Sequence, residues 1–395
     1  MNDISSLDFS QKIWNKKPAE LNLTNIKFSE NEIFDSLIKY KTSLEELKSR
    51  NSVSEFITAI DGKLTEKPVS DFLIEKDEIN FDQYIKRLDN SYINQEWCIA
   101  YFGLHASTPV IWDKAKSFAD LLYSSLFYRP RGRVDIDCFL GRYSSTHTGI
   151  HIDYAHNFAF TLRNGKTMYT WEPENKQLMY IRYPHYEQYK SSSYILNNSS
   201  DRVCYFPHDY LHVAESKNNI SLVINIAFWE FDENKKNIKS FINNQIDKTI
   251  DTSIYEHNEY QGNVCVSPEL HQYHTKGKKI FEEGTLEKYL ITTQLIRDTS
   301  SSLCVPRPPV QFDKKIRTVF FNGNSLLQWY IMSSKLNILV SSNGHCILID
   351  YHKDTIKLLY YILEGKRINL NKLNEFHQLL VIKLYEWGCV INADH

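Results

Sequence analysis

The chain has 395 residues, 42% apolar and 24% charged, with a formal net charge of −2. That length suits two or three domains, and the near-neutral charge excludes a global field drawing the protein onto nucleic acid or an anionic membrane. No apolar run approaches the roughly 18–20 residues that span a bilayer. The 25 Tyr and 21 Phe favour a β-rich architecture with large packed side chains. The opening Met-Asn-Asp-Ile-Ser lacks the basic-then-apolar pattern of a signal peptide. The seven Cys are odd in number and contain no C-x-x-C pair. The expectation is a cytoplasmic protein with reduced thiols.

Helix is favoured within residues 1–90, where Ile33, Phe34, Leu37, Ile38, Leu44 and Leu47 fall near helical spacing over Ser29–Leu47. Ser29 and Glu32 have the form of a capping box, and Phe28 with Ile33 that of a hydrophobic staple. This predicts an N-terminal α/β segment packed on a core. Residues 91–232 change character. Aromatic and β-branched runs at Val134–Leu140, Phe158–Leu162, Thr167–Trp171, Val203–Phe206 and Leu222–Trp229 alternate with turn residues. Many short strands predict a β-sandwich or barrel. Residues 233–305 are polar, with a helix over Leu286–Asp298, and Pro306, Pro308 and Pro309 follow as a linker signal. Within 306–395, Leu336–Ser341 and His345–Asp350 flank the hairpin turn Asn343-Gly344. Helices over Asp354–Leu363 and Leu379–Trp387 follow, with Gly365 and Gly388 at their ends. Hairpin plus short helices is a winged-helix-like α+β composition.

The informative segment is Thr148-Gly149-Ile150-His151-Ile152-Asp153. Side chains two apart on a strand share a face, so His151 and Asp153 can reach one metal. A third ligand must come from another strand, and His212 lies 59 positions after Asp153, just before the apolar strand Ser221–Trp229. Two His and one carboxylate on one face of an octahedron leave three positions for a bidentate co-substrate and O₂, the geometry of non-haem Fe(II) oxygenases. A lone His-x-Asp is a weak signal, more often a core hydrogen bond. His147 and His151 offer a rival pair whose spacing suits a helix, but Gly149, Ile150 and Ile152 disfavour a helix there. His156 and His208 read as solvated or pocket-lining. Asp135 and Asp137 share a strand face and form a conceivable carboxylate pair; a solvent-facing edge is the simpler reading.

These residues resemble the JmjC family of Fe(II)- and 2-oxoglutarate-dependent oxygenases, and the match extends past the triad. His151-x-Asp153, Asn157-Phe158 and Gly165-Lys166 follow the pattern of the asparaginyl hydroxylase of hypoxia signalling and of the ribosomal oxygenases. The resemblance implies that Lys166, fifteen positions after His151, binds the distal carboxylate of 2-oxoglutarate, assisted by the Thr148 hydroxyl. It places Asn157 and Asn225 among the polar pocket residues, with Tyr143 in reach of the cofactor. The run Asp201-Arg202-Val203-Cys204-Tyr205-Phe206-Pro207 resembles the family's Gly-Asp-x-x-Tyr-x-Pro, with Ser200 in place of Gly. Trp14-Asn15-Lys16-Lys17-Pro18 resembles the N-terminal segment of ribosomal oxygenases, the helical stretch after the core their dimerisation region, and Leu339–Gly344 with its helices their winged helix. Implied fold: a mainly β catalytic core, a double-stranded β-helix (jelly roll, cupin), with helical additions and a C-terminal winged-helix-like domain. Implied cofactors are Fe(II) and 2-oxoglutarate with O₂, and the implied assembly is a homodimer.

Lys166 also carries its own argument. A buried ammonium is costly unless paired, and a charge-assisted hydrogen bond to a dicarboxylate resolves that cost. The alternative is an exposed turn Lys after Asn164-Gly165. The expected function is hydroxylation of a side chain of a protein or peptide. The alternatives are a non-catalytic cupin-like binding protein and an oxygenase acting on a small biosynthetic molecule. Residues 311–395 hold ten Lys and Arg against seven Asp and Glu, a net +3. That is too little phosphate-neutralising charge to favour nucleic-acid binding.

Overall fold

The computed structural model describes residues 4–22, 26–50, 54–197, 199–200, 202–216, 219–230, 238–244, 275, 278 and 284–393. Most of the polar stretch 233–284, and Asp201 in the run before His212, lie outside them. The chain divides into two units, one of residues 1–231 with 300–310, the other of 232–299 with 311–395.

In the first unit the strands are β1 (Ala19–Leu21), β2 (Phe56–Ile60), β3 (Lys63–Leu64), β4 (Trp97–Tyr101), β5 (Val134–Arg142), β6 (Ala155–Arg163), β7 (Thr167–Trp171), β8 (Tyr194–Asn197), β9 (Val203–Phe206), β10 (Leu211–Glu215) and β11 (Ser221–Trp229). They form an eight-stranded sheet, ordered β1-β9-β6-β11-β5-β4-β2-β3, and a three-stranded sheet, ordered β10-β7-β8. All pairings in both sheets are antiparallel. From β5 onward the chain passes back and forth between the sheets: β5 large, His151 bridged to β10 of the small, β6 large, β7 and β8 small, β9 large, β10 small, β11 large. That winding is a jelly roll. The N-terminal segment belongs to the same body, because β1 and β2–β3 extend both edges of the large sheet.

Alternation along the central strands separates an apolar face from a cavity face. Leu222, Ile224, Ile226 and Phe228 of β11 and Ile136, Cys138 and Leu140 of β5 are wholly buried in the main core. Helix α1 (Glu30–Thr42) starts with the expected capping box at Ser29 and Glu32; the helix ends at its C-cap Ser43 before α2 (Leu44–Arg50). Helices α3 (Phe81–Ser91) and α4 (Pro109–Leu126) follow. Proline at the first position of α4 suits a site where no backbone N–H is required. Helix α4 buries Ile111, Trp112, Ala115, Phe118, Ala119 and Leu122 against this face, with Phe118 4.9 Å from Phe158 and 6.0 Å from Phe228, ring to ring. Each such side chain contributes roughly 1.5–3 kcal/mol on burial.

The segment 300–310 returns to this unit. Val134 donates to Ser302 O (2.8 Å), and Trp112 Nε1 donates to Val305 O (2.9 Å). Leu303 and Val305 are buried in the main core. The proline-rich stretch is thus packed structure at its start.

In the second unit, α5 (Thr285–Thr299) fills the helix expected over Leu286–Asp298. Strands β12 (Thr318–Phe321), β13 (Leu327–Ile331), β14 (Asn337–Ser342), β15 (His345–Asp350), β16 (Ile368–Asn369) and β17 (Val390–Asn392) form two three-stranded sheets with α6 (Lys353–Leu363) and α7 (Glu375–Glu386). The β14–β15 hairpin turns on Asn343 (φ 49°) and Gly344 (φ 79°), the left-handed pair a two-residue turn requires. Leu295 of α5 packs on Leu339 and Met332. No described helix is long and apolar enough to cross a membrane. The six described cysteines are unpaired.

Candidate functional site

Between the two sheets of the first unit lies a cavity of about 480 Å³. Odd-numbered residues of three central strands line it, Arg133, Asp135, Asp137 and Phe139 on or beside β5, Ala155, Asn157 and Ala159 on β6, Val223, Asn225, Ala227 and Trp229 on β11, joined by Cys98 and Ala100 of β4 and Phe206 of β9. The small sheet contributes Met168, His212 and Ala214, and the loop before β6 contributes Thr146, His147, Thr148, His151 and Asp153.

His151, Asp153 and His212 converge here. Asp153 Oδ1 lies 3.3 Å from His151 Nε2, and Asp153 Oδ2 lies 3.3 Å from His212 Nε2. All three ligand atoms fall within 4.8 Å of one another. Donors about 2.0–2.2 Å from one ion at angles near 90–109° stand roughly 3–3.5 Å apart, so the spacing suits one ion. Gly149 makes the approach possible: its φ is +70°, and a Cβ there would meet Ile181 O at 2.4 Å. Only glycine avoids both strain and collision.

The outer nitrogens of both rings are held. His151 Nδ1 is 2.9 Å from Gly149 O and 3.0 Å from Thr148 Oγ1. His212 Nδ1 is 3.3 Å from Tyr210 O. A carbonyl accepts only, so each Nδ1 carries a proton, and each Nε2 is left to ligate a metal once it gives up the proton it shares with Asp153. Asn157 Nδ2 donates to Asp153 Oδ2 (3.3 Å) and Asn225 Nδ2 to Asn157 Oδ1 (2.5 Å). Burial pushes the Asp153 carboxyl up, but His212 and His151 outweigh it and hold it well below the usual range. The carboxylate form that ligates a cation is favoured.

Lys166 is buried, with its Nζ 5.1 Å from the ring centres of Phe139 and of Tyr143. Among the described residues it has no carboxylate partner. Burial pushes its ammonium down to about 8. Tyr143 joins it in the cavity lining, and Thr148 lies in the same lining against His151. The donor set fits a divalent ion with nitrogen and oxygen preference, and the orphaned ammonium fits an anionic co-ligand.

Two readings of nearby residues are corrected. Asp135 and Asp137 do not face solvent; both line the cavity, because the second sheet covers that face of β5. Asp135 pairs with Arg133 (2.7 Å), which stands 4.7 Å over Trp229. Asp137 accepts from the Gly103 N–H (3.3 Å) and has no ion-pair partner among the described residues. Burial and the neighbouring Asp135 push its carboxyl well up. His156 neither is solvated nor lines the cavity: it is fully buried, stacked 3.9 Å from Trp14, and bonded to Tyr205 and Glu230. His208 lies 4.9 Å from it, and neither belongs to the triad. His147 lines the cavity outside the triad.

No protein-family model matches the chain, and no curated protein matches it. Among solved structures, the ribosomal oxygenase YcfD from Escherichia coli is similar at 13% identity and TM-score 0.45, over 98% of this chain and 97% of that one. Its complex with cobalt and 2-oxoglutarate gives 13% identity and TM-score 0.46 over the same shares. Its complex with cobalt and succinic acid gives 14% and 0.45, again over 98% and 97%. At these values the likeness carries no argument, and the chemistry of the site rests on this chain's own residues.

Proposed function

We propose that the chain is an Fe(II)- and 2-oxoglutarate-dependent oxygenase that hydroxylates a side chain of a protein or peptide. One observation carries this reading: a two-His, one-carboxylate triad shares one cavity with a buried lysine that, among the described residues, lacks a counter-ion. The triad alone suits several divalent ions. The ammonium adds a demand for an anion, and a dicarboxylate chelating the metal at one end meets it at the other.

His151 Nε2, His212 Nε2 and one Asp153 oxygen hold the metal. Gly149 O, Thr148 Oγ1 and Tyr210 O keep both rings in the ligating tautomer. Asn157, braced by Asn225, orients Asp153. Lys166 donates to the distal carboxylate, and the rings of Phe139 and Tyr143 exclude water from that contact and strengthen it. Bound together, iron and 2-oxoglutarate activate O₂ and supply an oxygen atom to a substrate carbon. Asp137, its carboxyl pushed well up, offers a polar group inside the cavity, so a substrate group reaching it is one that hydrogen-bonds.

We also read the C-terminal unit as winged-helix-like, supported by the β14–β15 hairpin with α6 and α7, the assembly as a homodimer, and the compartment as the cytoplasm, in keeping with the free thiols. Light scattering tests the dimer. The catalytic reading is tested by succinate release from 2-oxoglutarate in aerobic buffer. Release that requires added Fe(II) and disappears in Asp153→Ala supports it; no Fe(II)-dependent release contradicts it.

A further inference from the structure

Apart from the triad, three side chains from three separate segments meet in the first unit: His105 of the turn Leu104–Ala106, Asp135 of β5, and Cys304 of the returning segment 300–310. Cys304 Sγ lies 3.3 Å from His105 Nε2 and 2.7 Å from Asp135 Oδ1. The three ligand atoms all fall within 4.8 Å of one another, with His105 and Asp135 buried and Cys304 half-buried.

We propose that His105 Nε2, Asp135 Oδ1 and Cys304 Sγ form a second metal site, suited to a divalent transition ion of borderline softness such as Zn(II). The donor set decides the class of ion. A thiolate disfavours Mg²⁺ and Ca²⁺, whereas one sulfur, one imidazole and one carboxylate together suit Zn(II) or Co(II). Three protein ligands leave a fourth position open, and Asp135 faces the cavity from which water can fill it.

Geometry supports the assignment. Sulfur and nitrogen donors about 2.3 and 2.0 Å from a tetrahedral ion stand roughly 3.5 Å apart. The Sγ–Nε2 separation of 3.3 Å is already close to that. The Sγ–Oδ1 separation of 2.7 Å is shorter, with the Cys304 thiol donating to that carboxylate oxygen. On metal entry the Cys304 S–H bond breaks, its proton leaves to solvent, and a sulfur–metal bond forms; no electron changes hands. The thiol and carboxylate then move apart by under about 1 Å.

The surroundings are arranged as a ligand shell. Arg133 Nε binds the other oxygen of Asp135, Oδ2, at 2.7 Å, which turns Oδ1 toward Cys304. Outer partners of this kind fix ligating carboxylates. His105 is wholly buried, where the neutral, ligating imidazole is favoured. The neighbourhood carries Asp135 and Asp137 against Arg133, so forming a thiolate there calls for a further cation. A metal at this point would fasten segment 300–310 to β5 and to the turn at His105.

The test uses the full chain, stripped of metal and titrated with Co(II) under anaerobic reducing conditions. The proposal predicts two equivalents bound, one of which brings sulfur-to-cobalt charge-transfer absorption in the near ultraviolet. The triad contains no sulfur and cannot produce that band. Cys304→Ser loses the band and one equivalent; Asp153→Ala keeps the band. The wild-type titration needs no variant to fold: saturation without the band overturns the proposal. A band undiminished in Cys304→Ser also overturns it. The band is independent of the oxygenase reading, which is tested by Fe(II)-dependent succinate release.

Discussion

His151 and His212 are 61 residues apart in the chain and exchange both backbone hydrogen bonds, His151 N–H to His212 O at 3.0 Å and His212 N–H to His151 O at 2.9 Å. The two imidazoles are therefore fixed to each other through main chain, with ring centres 4.3 Å apart. A site built on such a bridge needs little reorganisation to accept an ion.

Thr148→Val removes one of the two oxygens beside His151 Nδ1 and leaves Gly149 O. Loss of an outer partner costs about 10–100-fold in metal affinity, and the remaining carbonyl keeps the loss near the lower figure. Competition of Fe(II) binding with a calibrated chelator measures it. Unchanged affinity would assign the ring orientation to Gly149 alone.

Lys166 gives opposite pH trends for binding and stability. Its folded value of about 8 lies below the ordinary 10.5, so between these the unfolded chain holds a proton that the folded chain has released. Stability of the ligand-free protein therefore rises with pH through that window. Affinity for 2-oxoglutarate runs the other way and falls above pH 8, as the ammonium is lost. Lys166→Ala should weaken the co-substrate about tenfold or more, since a charge-assisted bond contributes roughly 1.5–3 kcal/mol. Calorimetric titrations across pH 7–9.5 check both; a flat profile would place the distal carboxylate on another group.

How much was legible in the sequence depends on the range over which each signal acts. His151 and Asp153 are readable as a pair because they stand two residues apart, although only His151 makes a strand bridge and Asp153 lies in the loop before β6; the Asn343-Gly344 turn is readable because its backbone angles are a property of two residues. Asp135 and Asp137 were misjudged because charged alternation looks alike whether a strand faces solvent or a polar cavity closed by a second sheet. The burial of His156 depends on Trp14, 142 residues earlier, and the packing of Cys304 on residues near 105 and 135. No local pattern announces either contact.

Asp137→Asn keeps the shape and replaces a carboxyl that burial and Asp135 hold toward its neutral form. Uncoupled conversion of 2-oxoglutarate should persist, while hydroxylation of the true substrate falls about two- to tenfold, in line with loss of a neutral hydrogen bond of roughly 0.5–1.5 kcal/mol. The ligand-free variant should melt higher at neutral pH, because the raised Asp137 carboxyl resists ionisation in the fold while the unfolded chain ionises freely. Equal loss of both activities would make Asp137 a support of the metal site instead.

The position of a C-terminal cut matters. A chain ending at residue 310 retains Leu303 and Val305 in the main core; one ending at 299 does not. Each side chain contributes roughly 1.5–3 kcal/mol, so the shorter chain should be less stable by at least about 3 kcal/mol, read by urea unfolding. The longer chain should retain Fe(II)-dependent succinate release. Equal midpoints for the two would deny the returning segment a structural role.

The proposed chemistry requires the triad and Lys166 to hold iron and 2-oxoglutarate in one cavity. The visible spectrum of anaerobic protein loaded with Fe(II), before and after 2-oxoglutarate, reads this without any substrate. Chelation of iron by the keto acid should produce a metal-to-ligand charge-transfer band in the wild type, none in Asp153→Ala, and in Lys166→Ala a band requiring about tenfold more co-substrate or above. A wild-type protein that binds Fe(II) yet develops no band at saturating 2-oxoglutarate would contradict the proposed function.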